Sequence, residues 1–218
     1  MKAKIFQALL VMFLVSSAFQ AKAAIISVDG TEVDALSINT SFESFYNFTD
    51  WSANTGYEIA NELVAFFVTD DSNALGLFMI FSGPGGDAGS LNFDLISSEG
   101  SVVFVDDPGG RDPIVGTNVS FGYAAGKTDG LVFSDFVTES WAIDVVFNNF
   151  SGVTGYNFLS FDASGTASVA ASGALTDFNV SSTASATPGA PISVPAPSSL
   201  LILMLSLSCI ALSKRKFF

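Results

Sequence analysis

Twenty-one carboxylates in a 218-residue chain without a single histidine restrict the available chemistry before any fold is considered. Ser-His-Asp and Cys-His catalysis both need an imidazole base, and structural zinc takes nitrogen or sulfur ligands, so neither is open to this chain. The one cysteine, Cys209, lies in an apolar stretch near the C-terminus, which removes an intrachain disulfide as well. Oxygen chemistry remains. Calcium takes about six to eight oxygen ligands, and aspartates clustered in glycine-rich loops supply them. The candidates are Asp70 and Asp71, and Asp106, Asp107 and Asp112 in the run Asp106-Asp107-Pro108-Gly109-Gly110-Arg111-Asp112. Neither stretch has the D-x-[DN]-x-[DN]-G spacing of an EF-hand, and Gly85-Gly86-Asp87 occurs once rather than as an array. The competing reading is that these acids are solvated turn residues selected for backbone geometry, and that is the expectation. No cofactor is foreseen, calcium being the one ion whose ligand chemistry the loops match.

Two carboxylates could also hydrolyse a glycosidic bond. With 21 acids, however, some pair always stands at a suitable separation, and nothing singles one out. The chain is therefore expected not to be an enzyme. Trp51, Tyr57, Trp141 and Tyr156 could stack on sugar rings. Trp141 sits on an alternating apolar face and reads as core, whereas Trp51, in the polar setting Phe48 to Asn54, is the candidate ligand residue. The Asn-x-Ser/Thr triplets at Asn39, Asn47, Asn118, Asn149 and Asn179 are expected from composition alone. Six of the eight basic residues sit at the ends; between residues 24 and 197 only Arg111 and Lys127 face all 21 acids, a net charge of −19. Such a field repels nucleic acid and anionic lipid, so a nucleic-acid partner is excluded.

The elements that must position these groups are strands. Trp141, Ile143, Val145 and Phe147 alternate with Ala142, Asp144, Val146 and Asn148; Leu91, Phe93 and Leu95 alternate with Asn92 and Asp94; Val119, Phe121 and Tyr123 alternate with Ser120 and Gly122. Period-two alternation marks strands with one buried face. Leu63–Val68 (LVAFFV), Leu75–Phe81 (LGLFMIF) and Val102–Val105 (VVFV) are apolar throughout and predict central strands. Turn clusters separate them at Thr69–Asn73, Ser82–Asp87, Ser98–Gly100, Asp106–Pro113 and Lys127–Gly130. Nine to eleven short strands without an amphipathic helix predict an all-β, antiparallel β-sandwich of the jelly-roll kind over residues 24–180.

Both ends read as addresses. Lys2 and Lys4, an apolar run from Ile5 to Phe19, and Ala21-Lys22-Ala23 have the three-part order of a secretory signal peptide over 1–23, with cleavage between Ala23 and Ala24. Signal peptidase and the Sec translocon are the partners this implies. Residues 181–197 (SSTASATPGAPISVPAP) are uncharged and rich in Ser, Thr, Ala and Pro, a spacer composition. Ser198–Ser213 is 16 residues without charge, a helix about 24 Å long against a hydrocarbon core of about 30 Å. Lys214, Arg215 and Lys216 then hold the C-terminus in the cytoplasm.

The order of Val194-Pro195-Ala196-Pro197, a short hydrophobic helix and a basic stop resembles the PEP-CTERM sorting signal of exopolysaccharide-producing Gram-negative bacteria, with Ala196 where that family has glutamate. The resemblance covers about the last 25 residues and implies that an exosortase-like enzyme cleaves near the proline motif, ahead of the sorting signal over 198–218. It implies transient membrane insertion: a precursor in the inner membrane, with a signal helix and a C-terminal transmembrane helix, and a mature form at the cell surface or outside. The expected role is a non-enzymatic surface or matrix protein associated with exopolysaccharide or biofilm. The alternatives are a carbohydrate- or calcium-binding adhesion module and, less favoured, a secreted glycoside hydrolase.

Overall fold

The computed structural model of the protein describes residues 24–107 and 112–184. The signal peptide, residues 185–197 of the spacer, the motif Val194–Pro197, the expected C-terminal helix and the basic stop Lys214–Lys216 lie outside the described residues. Within them the chain is all-β. Two sheets form. The first runs β2 (Thr31–Val33), β1 (Ala24–Val28), β14 (Phe178–Ala184), β11 (Trp141–Ser151), β6 (Gly89–Ser97), β9 (Asn118–Tyr123), β8 (Ile114–Val115). The second runs β13 (Ala167–Ala174), β12 (Gly155–Phe161), β4 (Glu62–Thr69), β5 (Leu75–Phe81), β10 (Asp129–Ser134), β7 (Ser101–Val105), with β3 (Leu36–Ser37) beside the end of β4.

The alternating strands line the first sheet. Leu91, Phe93 and Leu95 of β6, Val119, Phe121 and Tyr123 of β9, and Trp141, Ile143 and Val145 of β11 are buried in one core with Leu63, Ala65 and Phe67 of β4 and Leu77, Met79 and Phe81 of β5. Their opposite face carries Asn92, Asp94, Asn118, Asp144 and Asn179, hydrogen-bonded side chain to side chain, which suits water. The continuous apolar runs occupy the second sheet because it is buried on both faces. Val64, Phe66, Phe78, Ile80, Val132, Leu159 and Phe161 form a second cluster behind it, under Leu36, Phe42, Tyr46 and Ala53.

That outer cover is built around α1 (Phe42–Tyr46), one short helix the periodicity does not reveal. Ser41 caps it by accepting from the Ser44 N–H at 3.3 Å, and Asn47 ends it in the left-handed region at φ 51°. Phe42 and Tyr46, one turn apart, both point inward, with ring centroids 5.7 and 6.3 Å from that of Phe78. Among the described residues no helix is long and apolar enough to cross a membrane.

Several expectations need correction. The sheets are antiparallel except at two pairings, β12 with β4 and β3 with β4, which are parallel; the long connection from β4 to β12 permits this. Fourteen strands form among the described residues, more than foreseen, because two- and three-residue strands such as β2, β3 and β8 leave no periodic signal. VVFV is an edge strand, not a central one: β7 pairs only with β10, and Val103 is 43% exposed. The body also continues past residue 180, since residues 181–184 complete β14 between β1 and β11.

Candidate metal centre

Three carboxylates from separate parts of the chain meet at one end of the second sheet: Asp106, which follows β7; Asp112, which precedes β8; and Asp129, the first residue of β10. One oxygen from each lies within 4.8 Å of the others, and all three residues are buried, at 5%, 2% and 3% exposure. The pairing of β10 with β7 positions the first and third, since Asp106 N donates to Gly130 O at 3.4 Å.

Asp106 is held from two sides. Tyr46 Oη donates to its Oδ2 at 2.8 Å, and the Asp107 N–H donates to its Oδ1 at 3.0 Å. Asp129 Oδ2 accepts from the Gly122 N–H at 3.1 Å. Asp112 differs: both of its carboxylate oxygens are buried, and among the described residues neither has a hydrogen-bond partner of normal geometry. A buried polar atom left unpaired costs about 1–3 kcal/mol, and more for a charged group, so it calls for an explanation.

Electrostatics press in the same direction. Burial, then the neighbouring charges of Asp106 and Asp112, push the Asp129 carboxyl up to about 9. Burial, then Asp106 and Asp107, push Asp112 up to about 7. Burial also raises Asp106, and burial together with Asp106 raises the Tyr46 phenol well above its usual value. Three carboxylates this close cannot all ionise in a low-dielectric site without compensating positive charge. Lys127, the one basic residue among the described ones, does not supply it, because its Nζ is hydrogen-bonded to Asp50 O at 2.5 Å. The donor set is all oxygen, which suits a hard cation such as calcium, whose ligands stand at about 2.3–2.6 Å and hence up to about 5 Å apart across the ion.

Of the acids singled out by sequence, the structure brings Asp106 and Asp112 together and leaves the others apart. Asp70 Oδ1 accepts from the Ser72 N–H, the Ser72 hydroxyl and the Ala74 N–H, closing its own turn between β4 and β5. Asp71 is exposed, its N–H donating to Thr40 O, and Asp107 serves through its backbone. Asp129 was missed as a site residue because Lys127–Gly130 reads as a turn, whereas Asp129 and Gly130 already belong to buried β10. Trp141 is core, stacked on Phe136 with centroids 4.1 Å apart. Trp51 is 60% exposed, at φ 60° in a loop that the Asn54 amide ties by donating to the carbonyls of Asn47 and Ser52. Comparison with protein-family models, with curated proteins and with solved structures gave no match.

Proposed function

We propose that the protein is an exported, non-enzymatic component of the cell surface or extracellular matrix, delivered through a PEP-CTERM-like C-terminal signal and associated with exopolysaccharide. One observation supports the reading: Ala24–Ala184 is one compact unit that lies between the expected signal cleavage point and the proline motif. Ala24 pairs with Ala184 in the first sheet, so every strand among the described residues lies between the expected signal cleavage point and the proline motif. We read the two sheets as a jelly-roll-like sandwich, supported by the repeated passage of the chain from one sheet to the other after β5; the parallel β12–β4 pair departs from that plan.

The arrangement of carboxylates favours a structural over a hydrolytic role. Glycoside hydrolysis needs two carboxyls about 5–5.5 or 6.5–9.5 Å apart flanking an accessible bond. The gathered carboxylates stand within 4.8 Å and are buried. A cavity of about 350 Å³ between the β7 and β8 edges is lined by Leu95, Val102, Ile114, Val119 and Phe133, with no acid, while a more open hollow of about 280 Å³ on the first sheet is lined by Asp29, Asp144 and Asp177, of which Asp144 accepts from the Asn179 amide and Asp177 from the Phe147 N–H. A second reading, a calcium-binding adhesion module, is favoured by the unpaired Asp112 carboxylate.

Mass spectrometry of the protein recovered outside the cells tests the main reading. Export and sorting predict an N-terminus at Ala24 and a C-terminus close to Pro197. A C-terminus still at Phe218 would overturn the sorting step.

A further inference from the structure

We propose that Asp106, Asp112 and Asp129 form a structural calcium site that ties the end of β7, the approach to β8 and the start of β10 into one unit. The inference does not rest on the export reading. Its first support is the convergence of three carboxylate oxygens within 4.8 Å at a buried point. Acidic clusters arise easily in a chain with 21 acids, and convergence alone would leave the question open. The second support is independent of it: Asp112 is 2% exposed, and among the described residues no donor makes a hydrogen bond of normal geometry to either of its oxygens. Every other acid in the centre has a donor of its own, the Tyr46 hydroxyl and the Asp107 N–H for Asp106 and the Gly122 N–H for Asp129. Those donors leave lone pairs on each carboxylate for a further partner.

The chemistry selects the ion. Among the described residues no nitrogen or sulfur ligand joins the cluster, which disfavours zinc and copper. Magnesium keeps most of its water and demands a near-octahedral shell, whereas calcium accepts a flexible set of protein oxygens. A centre buried this deeply has little room for a hydrated ion. Tyr46, whose hydroxyl sits 2.8 Å from Asp106 Oδ2, couples the site to α1 and so to the cover over the second sheet.

The test uses the full chain, purified in detergent, stripped with a chelator and melted with and without calcium. A ligand that binds only the folded state, at about a hundred times its Kd, raises Tm by about 5–10 °C for a domain of this size. Calorimetric titration should give one calcium per chain, and magnesium at the same concentration a much smaller shift. Asp112→Asn, equal in volume, should abolish the calcium shift while Asp70→Asn retains it. Terbium gives a readout on the unmodified chain: bound at the site it should luminesce on tyrosine excitation, and calcium should displace it. No shift and no binding heat would overturn the proposal. So would a calcium shift that survives Asp112→Asn, a terbium signal indifferent to calcium, or a magnesium shift equal to that of calcium.

Discussion

Gly130→Ala should unfold the protein more readily than any other single-methyl change near the carboxylate centre. Gly130 stands in β10 opposite Ile80 of β5, and a Cβ there would come 2.5 Å from Tyr46 Oη and 2.6 Å from the Met79 carbonyl oxygen. The carbonyl belongs to a central strand and cannot move, so Tyr46 must. Overpacking of this kind costs about 1–3 kcal/mol. Moving Tyr46 breaks its 2.8 Å hydrogen bond to Asp106, a further loss of about 1.5–3 kcal/mol for a bond to a charged group. Replacing a strand glycine returns about 0.5–1 kcal/mol. The net loss is about 2–5 kcal/mol, a large share of a typical total of about 5–15 kcal/mol. Gly122→Ala in β9 is the control, since nothing lies within 4 Å of its added Cβ; it should be neutral or stabilising by up to about 1 kcal/mol. Urea titrations in chelator buffer read both. Two variants with the same midpoint and slope would refute the claim that β10 and Tyr46 are in forced contact.

The outer cover and the acid limb of stability give two further expectations. Phe78 is fully buried with ring centroids 5.7, 5.6 and 5.4 Å from those of Phe42, Phe45 and Phe66. Phe78→Ala should cost about 3–5 kcal/mol in urea denaturation, whereas Val137→Ala, at 87% exposure, should stay within about 0.5 kcal/mol. Hydrogen bonds hold three acids at the surface, two of them half-buried, below the ordinary carboxylate range: Asp94 through Asn148 and then Asn118, Glu99 through the Thr138 side chain, and Asp162 through the Ser164 side chain and then the Thr166 N–H. A depressed folded pKa stabilises fully above the unfolded value, 3.8 for Asp and 4.5 for Glu, and that contribution disappears as pH falls through the lower folded value. Thermal melts should therefore fall steeply below about pH 4, and Asp162→Asn should make that fall shallower.

The two kinds of hydrophobic pattern were legible because each reports one environment. Alternation in Leu91-Asn92-Phe93-Asp94-Leu95 follows from a sheet with a core face and a wet face, and unbroken LVAFFV and LGLFMIF from a sheet covered twice. What covered it was not legible. Phe42-Glu43-Ser44-Phe45-Tyr46 makes barely one turn, too short for a 3.6-residue period to separate from chance, and its cap Ser41 is one serine among many. The β7 strand misleads for a related reason, because an edge strand with Val102, Phe104 and Val105 half-buried carries the same letters as a central one. The parallel β12–β4 pair joins residues about ninety apart in sequence, beyond the reach of any local signal.

Asp129 illustrates the limit best, and it also explains why the centre requires a partner. In sequence it follows Lys127-Thr128 and precedes Gly130, and each of those neighbours argues for a solvated turn. In the fold, Thr128 Oγ1 accepts from the Ala53 N–H, so the outer cover seals the loop, and Asp129 starts a strand in which every residue is buried. A chain that needed only a turn here would place the carboxylate in water at no cost, as it does with Asp70 and Asp162. Instead it places three acids together where burial raises every one of them, beside a tyrosine that can donate to only one. A buried charge without a counter-charge destabilises strongly, while the same charge around a cation does not. A proton held on Asp129 serves one neighbouring carboxylate at a time, whereas a coordinated divalent ion engages all three residues at once.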